Sequence, residues 1–226
     1  LSTVKILAIN TCTPHASVAL LEEGVVLEEC LWLQGNSRGV FRQYQNLLAY
    51  NTERLLKSCE ISLSQIACLA VAVGPGSFTG LRSGVAFAKG LALASEIPVA
   101  PVGTLEALAW QAGTGTFCPI MDARRGELYW GIYKVDEHGV SEVFPCSVST
   151  PSDLVDALRK YEELTLTGEP LRDRDALPQS LRAFPVSLPV TWCLRAQAVG
   201  ELGEMDFLKG KTKKAEEVLP LYLRGF

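Results

Sequence analysis

Histidine is nearly missing from this chain, with only His15 and His138 among 226 residues. Neither has a second histidine at helical or loop spacing, which excludes a histidine-based metalloprotease site. No histidine stands near a candidate nucleophile, so no Ser-His-Asp or Cys-His arrangement can be assembled. His138 lies in Asp136-Glu137-His138-Gly139, a hairpin turn by composition, and His15 follows Thr13-Pro14 in the first hairpin; both read as loop residues. Positive charge is also in short supply: the net charge of −4 argues against unaided binding of nucleic acid, which depends on neutralising phosphates. Lys209, Lys211, Lys213 and Lys214 do cluster, but Glu216 and Glu217 follow at once, and the segment reads as a solvated loop. The seven cysteines are scattered, without the close pairs of a zinc knuckle or redox motif. Several stand in apolar runs as small hydrophobes, a usage that fits a reducing compartment. No apolar run reaches membrane length: residues 81–95 contain Arg82 and Lys89 and stop at Glu96 and Pro98. Leu1 leads into a strand pattern without a charged-then-apolar leader, and a cytoplasmic protein is expected.

What is present is a clear change of period. Residues 4–10, 16–21 and 25–33 read as a three-strand meander, with Glu22-Glu23-Gly24 as its second turn. Phe41, Tyr44, Leu47, Leu48, Leu55 and Leu56 then recur at helical spacing across 41–59. A strand at 67–73, a glycine-rich turn, a helix at 81–95, a strand at 98–102 and a helix at 104–112 follow, the last capped by Thr104 with Glu106 in its first turn. Antiparallel meander followed by alternating strand and helix is the order of the ribonuclease-H-like module in the lobes of actin-like ATPases, so the fold class expected is α/β. The run Gly113-Thr114-Gly115-Thr116 divides a first lobe, 1–112, from a smaller and irregular second lobe, 113–226. The second lobe opens with a hairpin, 117–122 and 127–135, and continues through a strand at 140–148, a short helix from Pro151, a strand at 164–167 and a helix at 191–207. That last helix is a candidate to pack back on the first lobe.

The glycine-rich turn runs Gly74-Pro75-Gly76-Ser77-Phe78-Thr79-Gly80. Gly74, Gly76, Ser77, Thr79 and Gly80 are candidates for binding an anion or nucleotide, since a helix N-terminus offers free N–H groups and a favourable dipole. No Lys-Ser or Lys-Thr follows the last glycine, so this is not a Walker A loop. A tight capped turn without a ligand is the plainer alternative. The helix behind it is apolar nearly all round, and Gly80, Gly84, Ala88 and Ala92 form a small-residue row at four-residue spacing. Such a helix must be covered on more than one side. The expected cover is a partner protein, on a seam of Leu81, Arg82, Gly84, Val85, Ala88 and Ala92 with Tyr44, Leu47 and Leu48 of the preceding helix; that preceding helix is itself the other candidate cover. Asp122-Ala123-Arg124-Arg125-Gly126-Glu127 packs four charges around a turn. Arg124 and Arg125 could clamp a phosphate, or the turn could satisfy its own charges.

Four stretches together carry a resemblance: 6–11 (Ile-Leu-Ala-Ile-Asn-Thr), the glycine turn through Arg82, 122–129 (Asp-Ala-Arg-Arg-Gly-Glu-Leu-Tyr) and 220–224 (Pro-Leu-Tyr-Leu-Arg). In these, and in their order along nearly the whole chain, the sequence resembles the TsaB family, formerly YeaZ. The resemblance implies a two-lobed actin-like fold without catalytic machinery or a metal. It also implies a non-catalytic subunit with no cofactor of its own, ATP or ADP entering only within a complex. The implied partners are TsaD, which transfers threonylcarbamoyl to the adenosine beside the anticodon of tRNA, and the ATPase TsaE; tRNA is met only through the complex. The first two helices of the first lobe would form a four-helix bundle with TsaD, or with a second copy in a homodimer. Two departures stand out. Asn10 occupies a position that is usually Asp, and Gly35-Asn36-Ser37-Arg38-Gly39 replaces the His-Ser pair usual before the first long helix. A weak nucleotide-hydrolysing protein using the glycine turn is the alternative reading.

Overall fold

The computed structural model describes residues 3–33 and 41–223, the side chains of 41–46 excepted. The loop 35–39, the side chain of Tyr44 and Arg224 therefore lie outside the described residues. In chain order the elements are β1 (Lys5–Asn10), β2 (His15–Glu22), β3 (Val25–Leu33), α1 (Phe41–Ser58), β4 (Cys68–Gly74), α2 (Phe78–Ser95), β5 (Val99–Gly103) and α3 (Thr104–Ala112). After these come β6 (Gly115–Asp122), β7 (Leu128–Asp136), β8 (Gly139–Ser149), α4 (Pro151–Leu158), β9 (Thr165–Thr167), α5 (Gln179–Arg182) and α6 (Ala196–Leu208).

The chain divides into two compact units. The first is Leu1–Thr104 with Arg195–Leu221, and the second is Leu105–Leu194 with Tyr222–Phe226. Most of α3, which the sequence places before the lobe boundary, thus belongs with the second unit. In the first unit a five-stranded sheet runs β3-β2-β1-β4-β5, antiparallel through the meander and parallel from β1 to β4 to β5. β1 is buried on both faces from Ile6 to Asn10, which is why it reads as an unbroken apolar run and not as an alternation. Leu48 and Leu55 of α1 and Val85, Ala88 and Ala92 of α2 share one core with Leu7, Ile9, Leu20, Leu69 and Val71 of the sheet. Each large side chain in such a core contributes about 1.5–3 kcal/mol.

The other face of this sheet is covered by α6. A β-carbon at Gly203 would collide with that of Ala70, so only glycine lets the helix lie this close to the strands. α6 starts at Ala196, not at 191: Pro189–Thr191 is a separate single turn, and Arg195 is extended. The Ala196 N–H is satisfied by Ser17 Oγ on β2 at 2.8 Å, a cap supplied from 179 positions away in sequence. In the second unit the sheet order is β8-β7-β6-β9, with β9 parallel to β6. α4 brings Leu154, Val155 and Leu158 into its core with Ile120, Trp130 and Ile132. Among the described residues, no helix is long and apolar enough to cross a membrane.

Candidate functional site

The glycine turn is shaped by what lies under it. Gly76 (φ 157°) has no room for a β-carbon, which would meet the Cys12 carbonyl, and one at Gly80 would meet the Thr11 carbonyl. The turn is pressed against the β1–β2 loop and pinned there. Ser77 N–H donates to the Cys12 carbonyl at 2.8 Å, and Thr11 Oγ1 donates to the Gly80 carbonyl at 2.7 Å. Ser77 also caps α2, its hydroxyl accepting from the Gly80 N–H at 3.3 Å. That cap moves the start of the helix back from 81 to Phe78. Thr79, at the head of the helix, is exposed. From the other side the C-terminal segment crosses the turn, where Leu221 N–H donates to the Val73 carbonyl at 2.7 Å and the Leu221 carbonyl fills the space a side chain at Gly74 would need. Each of the three glycines, Gly74, Gly76 and Gly80, thus has a neighbour that accounts for it.

Asn10 organises the loop that the turn grips. It is fully buried; its Nδ2 donates to Thr13 Oγ1 at 3.1 Å and to the His15 carbonyl at 3.2 Å, while its Oδ1 accepts from Cys12 N–H at 3.0 Å. An aspartate here would lose both donors and set a negative charge against the His15 carbonyl. The beside-lying Cys12 is buried, bonded to the Ala72 carbonyl, and its thiol is pushed up to about 12 by desolvation. Cys68 is likewise pushed up to about 12 by burial, and burial raises Cys118 further. These thiols stay protonated at neutral pH and serve as core packing.

Along α2 the structure separates two rows of small residues. Leu81, Gly84, Val85, Ala88 and Ala92 all face inward and are buried in their own unit. A β-carbon at Gly84 would collide with Thr11 Oγ1. This corrects the seam expected from the sequence, because these residues are already covered by sheet and hairpin and are closed to a partner. Leu48 is buried in the same core, and Leu47 is half-buried. Thr79, Arg82, Ala86, Gly90 and Leu93 are exposed and, spaced 3, 4, 4 and 3 apart, line up along one side, with the exposed Phe78 and Ala94 beside that line. Leu93 is 59 % exposed, and a β-carbon at Gly90 would meet nothing within 4 Å. The Arg82 guanidinium lies 3.9 Å from the centre of the Phe78 ring. One flank of α2 is closed by residues 215–218, where Ala215 and Val218 join the core and Lys89 Nζ donates to the Val218 carbonyl at 3.1 Å. The sequence reading missed this cover. Its signal was there in the paired spacing of Ala215 and Val218 among charged residues.

Arg124 and Arg125 stand at the tip of the β6–β7 hairpin in the second unit, both in the left-handed region (φ 64° and 57°), followed by Gly126 at 77°. Arg124 pairs with Asp122 at 3.1 Å, both side chains exposed, and its N–H donates to Asp122 Oδ1 at 2.7 Å. His138 lies in the exposed β7–β8 turn, 3.6 Å from Glu137.

Likeness to known proteins decides the family. Residues 37–189 match the family model for TsaD, tRNA N6-adenosine threonylcarbamoyltransferase. The tRNA threonylcarbamoyladenosine biosynthesis protein TsaB of Escherichia coli K12 is 38% identical over 235 residues, covering 98% of this chain and 95% of its own. The chain belongs to the TsaB family. The solved structure of YeaZ from Pseudomonas aeruginosa superposes with a TM-score of 0.81 at 27% identity, covering 97% of this chain and 100% of that one. The fold is shared more widely: component A of (R)-2-hydroxyglutaryl-CoA dehydratase from Acidaminococcus fermentans gives a TM-score of 0.52 at 11% identity, covering 88% of this chain and 97% of that one. The two α/β units are thus those of the actin-like ATPase fold, as the strand order of the sequence suggested.

Proposed function

We propose that this TsaB-family chain takes part in tRNA threonylcarbamoyladenosine biosynthesis as a non-catalytic subunit. It docks onto a TsaD-type partner through the outward row of α2 and the adjoining surface of α1. The observation that carries this reading is the row Thr79–Arg82–Ala86–Gly90–Leu93. It leaves a helix backbone uncovered at Gly90 with an exposed leucine beside it, where a partner helix can approach closely. On α1 the exposed Tyr50 supplies a large side chain of the kind that anchors interfaces. The subunit needs no metal or cofactor of its own, and ATP or ADP enters with the assembly that TsaE joins. In isolation the same face can pair with a second copy.

Gly90→Arg tests the reading without disturbing the fold, since the site is open and arginine is the better helix former by about 0.8 kcal/mol. Co-purification with the TsaD-type partner should fall at least about a hundredfold, the loss expected when a central contact worth about 3 kcal/mol is removed. Normal complex formation by a well-folded Gly90→Arg protein would refute docking through this face.

A further inference from the structure

The loop that follows α6 changes character once its geometry is known. Lys209, Lys211, Lys213 and Lys214 are all exposed. Glu216 and Glu217, which the sequence offers as their counter-charges, do not take that role. Among the described residues Lys211, Lys213 and Lys214 form no ion pair, and the Glu217 carboxylate instead accepts the backbone N–H of Lys214 at 2.9 Å. The backbone under them is held in place. Lys213 exchanges both of its hydrogen bonds with Val99 of β5 (2.9 and 2.8 Å), Lys211 N–H donates to the Asp206 carbonyl at 2.8 Å, and Gly210 turns the chain with φ 68°. Three exposed ammonium groups without an ion pair among the described residues are therefore carried within four positions of one hydrogen-bonded loop, and little backbone entropy remains to be lost when they meet a polyanion.

We propose that this lysine loop is a contact surface for the phosphate backbone of a structured RNA, the tRNA on which the family acts. The choice of RNA rests on the tRNA role proposed above and not on docking through α2. Lysine ammoniums are compact point charges suited to phosphate oxygens and blind to base identity, so the loop positions RNA without reading its sequence. Three such contacts amount to an auxiliary grip, which agrees with a chain whose net charge is −4.

The test is filter binding of the chain to bulk tRNA across a salt series starting at about 20 mM, where backbone contacts are strongest. The triple variant Lys211→Glu/Lys213→Glu/Lys214→Glu should bind at least about tenfold more weakly, and its slope of log affinity against log salt should fall by roughly 2–3. The matching triple arginine variant, which keeps the charge, should bind as the natural chain does. The glutamate variant should still co-purify with the TsaD-type partner, so failure here is separable from failure of the α2 docking reading. Unchanged affinity and slope in the glutamate variant would overturn the proposal, as would the absence of tRNA binding by the natural chain at the lowest salt. Loss of partner docking together with tRNA binding would reassign the lysines to a protein contact. Binding to phosphatidylserine vesicles in place of tRNA would reassign them, with the exposed Leu208 beside them, to a membrane surface.

Discussion

Two rows of small residues run along opposite sides of α2 and have opposite duties. Gly80, Gly84, Ala88 and Ala92 are small because the β1–β2 loop and the sheet leave no space. Ala86 and Gly90 are small over open solvent, with no such neighbour. A glycine under a close contact is explained by the contact. A glycine over nothing in an exposed helix interior costs about 0.8–1 kcal/mol relative to alanine and has no explanation inside its own fold. The difference teaches where to look for a partner: on the row whose smallness the monomer does not need.

The comparison breaks most sharply at Gly84. Gly84→Leu should unfold or prevent folding of the first unit, a loss of about 3 kcal/mol or more, because the side chain must displace Thr11 and the hairpin behind it. Soluble yield and thermal denaturation would register it, while Gly90→Arg on the other row should lower neither and remove only docking. Next in size is Asn10→Asp, which attacks the loop that the inward row grips. The loss of two buried donors should cost about 2 kcal/mol, and the cost should grow as pH rises, since only the ionised carboxylate is fully penalised by burial. Urea titrations at pH 5 and pH 8 would reveal the pH term. Native stability at both pH values would mean that the loop does not depend on this amide.

The smallest effect belongs to the opposite face of the sheet, at Glu204 on α6. Burial raises its carboxyl above the usual carboxylate range, with Glu23 and Glu201 adding to the shift. The native state therefore holds the proton more tightly than the unfolded chain, and this group contributes stability at low pH that is lost as pH rises through its native pKa. Glu204→Gln should stabilise slightly at pH 8 and change little at pH 4, seen as a small rise in Tm at the higher pH alone. A drop in Tm at pH 8 would mean that the charge is favourable where it stands.

Much of the fold was legible in the residues themselves. The meander, the strand–turn–helix at the glycine motif and the β6–β7 hairpin follow from alternation, period and turn residues, and β3 and α3 fall on the ranges read from them. The proline-rich stretch between β9 and α6 was not legible, because short helical turns such as Glu169–Ala176 have no periodicity long enough to detect. At the candidate site, the sequence offers Ser77, Thr79 and the glycines either as an anion site or as a tight capped turn, and it does not reveal what the turn is pressed against.

The inward and outward rows of α2 mark the boundary between the two kinds of knowledge. Sequence by itself determined that this helix is apolar nearly all round, that it starts from a glycine turn, and that it belongs to a chain with the motifs of the TsaB family. Which of its two small-residue rows meets the sheet was decided by contacts from residues far away: Thr11 under Gly84 and Val218 beside Lys89. A hydrophobic period specifies that a face must be buried, but when most faces qualify only the packing of distant segments chooses among them. The same holds for charge. Four lysines followed by two glutamates look neutralised in sequence, until the hydrogen bond from the Lys214 N–H to Glu217 shows the carboxylate turned to the backbone.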